Sequence, residues 1–304
     1  MPPGQTLAYR HHGRATLSGM HVLTSGHGLL ESPRWHAGML WFADWTAGRI
    51  HRLRPDGRVE VMAEHASLPL CFDFLPDGTP LVVSAATRSL LALSPDGTLT
   101  PYADLRALSE LGANDIVVDG RGNAWVNSPN APFGTTAPEG GPASGRIAVV
   151  TGPGEVRVVA DDLDFPNGMA ISPDNRTLIV AESYRQRLTA FTITAEGSLT
   201  DRRVFADLGE DPPDGITMDA TGAVWYADVP HSHCVRVAEG GTVLDRVGFD
   251  RGAFACMLGG TDAATLFVVG ASWPGAAGLG RQQDWHGTVW SSPAPAPRAG
   301  WPSN

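Results

Sequence analysis

Lysine is absent from the 304 residues, and the 22 basic residues, all arginine, are scattered among 32 acidic ones for a net charge of −10. With no basic cluster, the chain lacks the electrostatic footprint of a nucleic-acid binder and any attraction to an anionic membrane surface. Cysteine is scarce as well. Cys71, Cys234 and Cys256 are far apart and odd in number, with no CxxC spacing, which argues against a disulfide framework, a redox pair and a cysteine-based zinc site. No apolar run reaches the about 18 residues of a membrane helix, and the N-terminal stretch "MPPGQTLAYRHHGRATLSG" has no apolar signal-peptide core, so a soluble cytoplasmic protein is expected. Helical periodicity is missing too: only "ADLRALSELG", residues 103–112, places apolar residues at helical spacing, enough for one or two turns.

What the chain has in quantity is turn chemistry. The 36 glycines and 24 prolines suit many short strands joined by tight reversals. "RPDGRV", "LPDGTP", "SPDGTL", "VDGRGN", "SPDNRT" and "MDATGA" each separate strand-like runs such as "MLWFADW", "PLVVSAA", "NAWVNSP", "TLIVAES" and "AVWYADV". Proline presets φ and glycine accepts positive φ, so these mark hairpins. Aligned by what precedes the first strand of each unit, Glu31, Cys71, Asn114, Asn167, Asp214 and Cys256 recur every 40 to 53 residues. Six units of that period with about four strands each predict an all-β, six-bladed propeller.

The last unit is one strand short, and "GMHVLTSG" at 19–26 is expected to supply it and close the ring. The expected layout is an N-terminal extension over 1–18, the propeller over 19–292 and a flexible tail over 293–304. Residues 127–145, rich in glycine and proline, read as a flap or as a disordered loop.

In a propeller, residues just before the innermost strand of every blade converge on the central channel. Four of these six positions carry a carboxylate or carboxamide: Glu31, Asn114 with Asp115 beside it, Asn167 and Asp214. Asn-Gly or Asp-Gly alone favours an ordinary turn, but the turn explanation would have to recur independently at equivalent positions. Converging hard oxygen donors suit a divalent cation, which also relieves the repulsion of an acidic cluster. Trp45, Tyr184 and His231 fall on loops that open on the same face and are candidate substrate contacts; a loop histidine such as His231 is more commonly just exposed.

The series "ESPRW", "NDIVVDGRGNAWV", "FPNGMAISPDNRTLIVAES", "PPDGITMDATGAVWYADV" and "ACMLGGTDAATLFVV" closely resembles the gluconolactonase, regucalcin and luciferin-regenerating enzyme family, also called the senescence marker protein family. The resemblance covers about residues 20–275. It implies one divalent metal in the central tunnel, with Glu31, Asn167 and Asp214 as its ligands and Asn114, beside Asp115, touching substrate or a metal-bound water. It also implies lactone hydrolysis, with Asp214 as the expected base and Glu31 the runner-up. Calcium, magnesium, manganese and zinc all fit such donors. Sugar-lactonase relatives place an arginine two residues before the Asn, where this chain has Gly112, which removes a grip on sugar hydroxyls. Competing expectations are a metal-dependent phosphoesterase, a specialised-metabolism enzyme using the metal as Lewis acid, and a non-catalytic binding propeller. A small molecule is the expected partner, and the assembly is expected to be a monomer or small homo-oligomer.

Overall fold

Short apolar runs punctuated by turns fold into 24 strands arranged as six four-stranded antiparallel sheets in the computed structural model, which describes residues 19–131, 144–275 and 284–300. The chain is a six-bladed β-propeller. The innermost strands are Leu30–His36, Leu70–Phe74, Ile116–Val118, Pro166–Ile171, Pro213–Met218 and Gly252–Gly259. The Pro-Asp-Gly and related motifs sit in reversals between strands, with positive φ at Gly78, Gly122 and Gly222 where an innermost strand turns into the second, and at Gly57 and Gly97 where a third strand turns into the fourth.

Sheets stacked face to face bury their inner strands on both sides, so these read as continuous apolar runs rather than alternating ones. Trp125, Ile147 and Val149 of blade three interlock with Met169, Ile171, Leu178 and Val180 of blade four, and Ile216, Val224 and Tyr226 of blade five pack on the opposite face of blade four. Blade six consists of Gly252–Gly259, Thr265–Ala271, Gly287–Pro293 and, outermost, the N-terminal strand His21–His27. The ring therefore closes by N-terminal strand exchange, as the sequence predicts.

Residues 105–111, whose spacing suggests a helical turn, form only turns, and Ser183–Arg185 is the one helical segment among the described residues. No helix there is long and apolar enough to cross a membrane. Residues 1–18, 132–143 and 301–304, covering the N-terminal extension, most of the 127–145 loop and the chain end, lie outside the described residues. Between them and the last strand, the segment expected as a loose tail is docked: Ala299 N–H donates to Met218 O, Arg298 N–H to Ala263 O, and Ala220 N–H to Pro297 O. The three cysteines are buried and free.

Candidate functional site

Three of the inner strands are irregular at the same level. Antiparallel register slips between Glu31 and Arg34, between Pro166 and Met169, and between Pro213 and Ile216. Each slip is a bulge, which re-aims side chains that regular pleating would send elsewhere. Glu31, Asn167 and Asp214 lie in these three bulges. In blade one the bulge passes through Ser32, a non-glycine residue at φ 53°. Glu31 and Arg34 would face opposite ways in an unbroken strand; here both line one cavity.

That cavity lies on the propeller axis. Among the described residues it is walled by Glu31, Ser32, Arg34, Trp45, Cys71, Asn114, Asp115 and Asn167, with Gly215 and Ile216 of blade five and Ala255 and Cys256 of blade six. Its volume, about 10 Å³, has room for one water-sized particle. Asn114 Nδ2 donates to Asn167 Oδ1 at 3.2 Å, and Asn167 Nδ2 reaches Ser183 Oγ at 3.3 Å. Ser183 Oγ in turn donates to the carbonyl of Pro213 at 2.7 Å, next to Asp214, whose carboxyl also hydrogen-bonds the Asn167 side chain. Ser32 N–H donates to Glu31 Oε2 at 2.7 Å.

The acidic groups are strained electrostatically. Burial, aided by the charge of Asp115 and opposed by Ser32 N–H and Arg34, pushes Glu31 up to about 8. Burial together with the charges of Glu31, Asp115 and Asp228 holds Asp214 far above the usual carboxylate range. Arg34 is the buried counter-charge, but it is already engaged: it lies 3.5 Å from Asp73 and 3.4 Å from Asp115, and donates to the carbonyl of Ile116 at 2.7 Å. Two largely buried carboxyls that cannot both ionise comfortably, the Asn167 carboxamide hydrogen-bonded to one of them and a cavity of ionic size fit a single divalent cation with oxygen ligands.

The Asn-Gly and Asp-Gly pairs here are not turns. A Cβ on Gly168 would lie 2.6 Å from Asp214 O and 2.6 Å from Ile216 N, and one on Gly215 would lie 2.2 Å from Ala255 Cβ. These glycines let neighbouring inner strands approach closely enough to converge the donors.

Trp45, Asn114 and Asp115 line the cavity; Asp214, Tyr184 and His231 are absent from its wall, although Asp214 is next to the lining residue Gly215. Tyr184 packs its ring on Phe165, centroids 4.5 Å apart. His231 is 45% exposed and held on the rim by Asp228, with Nδ1 2.8 Å from Asp228 Oδ2 and its backbone N–H donating to Oδ1. Asp228 pairs across the sheet with Pro213, which puts His231 at the mouth end of blade five. Arg34, Asn127 and Ser183 were not singled out from the sequence. Asn127 Oδ1 accepts from Asp115 N–H at 3.3 Å while its Nδ2 donates to the carbonyl of Asn167 at 2.6 Å, which ties blades three and four together at the site. The signal for it is "VNS", at the second-strand position where other blades carry "FAD", "VAE" and "YAD".

A second cavity of about 580 Å³ opens beside the first and shares Trp45 with it; Ala47, Ala66, Leu68, Ala85 and Leu111 complete its apolar wall. Gly112, at φ 95°, borders this region: a Cβ there would lie 3.0 Å from Ala85 Cβ.

The chain matches the family described as the SMP-30/Gluconolactonase/LRE-like region over residues 29–272. It is 28% identical to the 6-deoxy-6-sulfogluconolactonase of Pseudomonas putida over 250 residues, covering 78% of this chain and 81% of that one. It is 26% identical to a pentonolactonase of Haloferax volcanii over 260 residues, covering 82% and 84%. The structure of a gluconolactonase from Xanthomonas campestris superposes with a TM-score of 0.71 at 23% identity, covering 93% of this chain and 94% of that one, a likeness of fold. On the family match, the chain belongs to the SMP-30/gluconolactonase/LRE-like family.

Proposed function

We propose that the protein is a divalent-metal-dependent lactonase. The observation that carries this reading is that three bulges in different blades bring Glu31, Asn167 and Asp214 together at the axis: Glu31 and Asn167 line the ion-sized cavity, and Asp214, beside the lining residue Gly215, hydrogen-bonds the Asn167 side chain. Two relatives named as lactonases, aligned over about four-fifths of the chain, support the same chemistry.

Glu31, Asn167 and Asp214 would hold the cation, which when bound supplies a Lewis acid for the lactone carbonyl and its developing oxyanion. Asp214 takes the proton from the attacking water, because burial and the charge of Glu31 raise its carboxyl above the usual range and Asn167 hydrogen-bonds it. Asn114 donates from its amide to orient the lactone oxygens, while Asp115 beside it is held in place by Arg34. The exposed edge of His231, braced by Asp228, is available at the mouth for a departing proton.

Asp214→Asn should lower kcat/KM on a responsive lactone by about 100-fold or more, and chelation should abolish activity until a divalent ion is returned. Full activity in Asp214→Asn would overturn the assignment of the base. Turnover of phosphoesters but no lactone would favour a phosphoesterase instead.

The apolar groove beside Trp45, together with Gly112, points to a lactone bearing an apolar substituent. Each buried methylene contributes about 0.8 kcal/mol, so kcat/KM should rise several-fold per added methylene across an alkyl-lactone series and be lowest on polyhydroxylated aldonolactones. A screen of the two series checks this; a preference for aldonolactones would refute it.

A further inference from the structure

The strand that closes the ring and the first blade bring two imidazoles and a carboxylate together away from the central channel. His27 ends the closing strand His21–His27, Asp44 ends the second strand of blade one, Met39–Asp44, and His51 lies in its third strand, Arg49–Leu53. One ligand-capable atom from each residue lies within 4.8 Å of those of the other two. A single ion with bonds of about 2.0–2.2 Å would draw them together with small side-chain adjustments. None of the three lines the central cavity.

Each member is prepared for a cation. His51 is only 6% exposed, yet its Nδ1 has no hydrogen-bond partner among the described residues, and a buried ring nitrogen left without a partner carries a desolvation cost. Burial, with the neighbouring His27 adding to it, lowers His51 to about 4, and burial lowers His27 as well, so both rings offer neutral lone pairs at neutral pH. His27 Nε2 lies 2.9 Å from Thr24 Oγ1, an outer partner of the kind that fixes a ligating ring. Asp44 is locked by Gly28 N–H at 2.7 Å, Ala47 N–H at 3.0 Å and the Thr46 hydroxyl at 3.1 Å. A carboxylate has about four lone-pair positions, so one is left for an ion. Gly28 is part of the cradle: a Cβ there would lie 2.5 Å from Asp44 Oδ1. The nearest cation, Arg49, is paired with Glu64 at 2.9 Å.

We propose that His27, Asp44 and His51 form a second cation site that takes a nitrogen-preferring divalent transition ion of the zinc class and ties the closing strand to blade one. Two imidazoles with one carboxylate suit such an ion and not calcium or magnesium, which prefer all-oxygen shells.

The test uses the full-length protein, stripped of metal and carrying Asp214→Asn to weaken the axial site, titrated with cobalt(II) chloride and followed by visible d–d absorption and bound-metal analysis. One equivalent should bind with the intense visible band of a low-coordinate imidazole site. Adding His51→Phe should abolish that band, adding His27→Gln should weaken binding at least ten-fold, and zinc should displace the cobalt. His51→Phe alone should keep lactone hydrolysis within two-fold of the parent, which separates this site from the axial one. His27 is partly exposed, so His27→Gln decides the matter if His51→Phe does not fold. Absence of the band in Asp214→Asn, or its persistence at unchanged affinity in the folded histidine variants, would overturn the proposal.

Discussion

Arg34 is the residue whose position most changes the reading of the site. It stands three places after Glu31, the wrong parity for a shared face in a regular strand, and only the left-handed Ser32 at φ 53° turns both into the channel. It is 7% exposed and bridges Asp73, which is fully buried, and Asp115, which is mostly buried. Removing one partner of a buried charge network leaves the others uncompensated. Arg34→Met should therefore cost about 3–5 kcal/mol of stability, measured by urea unfolding, whereas the removal of an exposed partner such as Arg58 should cost under about 1 kcal/mol. Asn167 illustrates the reverse case, since its type and its place in the repeat were enough to single it out. That its oxygen accepts from Asn114 and its nitrogen reaches Ser183 depended on blades three and four meeting at the axis.

At the scale of the element, the inner strands are apolar runs, and in blades one, four and five the start of the run is interrupted by a bulge that carries a candidate donor. Turn motifs and the 40 to 53 residue period made the blades legible, because hairpins and strands are set by local backbone preference. The bulges were not legible: a slipped register needs a partner strand to slip against. Gly168 and Gly215 show the difference. Beside Asn and Asp they look like turn glycines, yet each is there because a neighbouring strand passes where a Cβ would be. Gly215→Ala should cost about 1–3 kcal/mol by overpacking against Ala255, and it should lower metal affinity as well, because the strand that carries Asp214 is pushed off. Alanine at Gly222, on the far side with nothing within 4 Å, pays only for its positive φ and should leave metal affinity unchanged. A second regularity runs through the repeats: Asp44, Ser84, Ser128, Glu182 and Asp228 end the second strands of five blades and are buried. Asp44 accepts from Gly28 N–H and Glu182 from Asp164 N–H, each fixing the loop that leads into its own blade's inner strand.

For the whole molecule, the axial carboxyls couple folding to pH and, on the proposed function, to metal. Glu31 sits at about 8 in the fold against 4.5 in the unfolded chain, and Asp73, pushed up chiefly by burial, at about 6 against 3.8. A raised carboxyl stabilises the fold fully below its unfolded value and loses that contribution as pH rises through its folded one. The metal-free protein should thus lose thermal stability between about pH 4 and pH 8. A bound divalent cation favours the ionised carboxyls, so the Tm gain on adding metal should be larger at pH 8 than at pH 6. A gain independent of pH would mean that Glu31 does not face the ion. Ring closure is the other molecular property, since the first and last blades are joined by main-chain pairing between His21–His27 and Gly287–Pro293. What the sequence determined by itself was the propeller, its six units, the closing strand and the axial donor types, because these follow from periodicity, turn chemistry and position within a repeat. Only the tertiary structure decided that Arg34 shares the channel with Glu31, that Tyr184 and His231 stand outside the cavity wall, and that His27 meets His51. Those relations join residues on different strands and blades, and their distances come into being only when the ring closes.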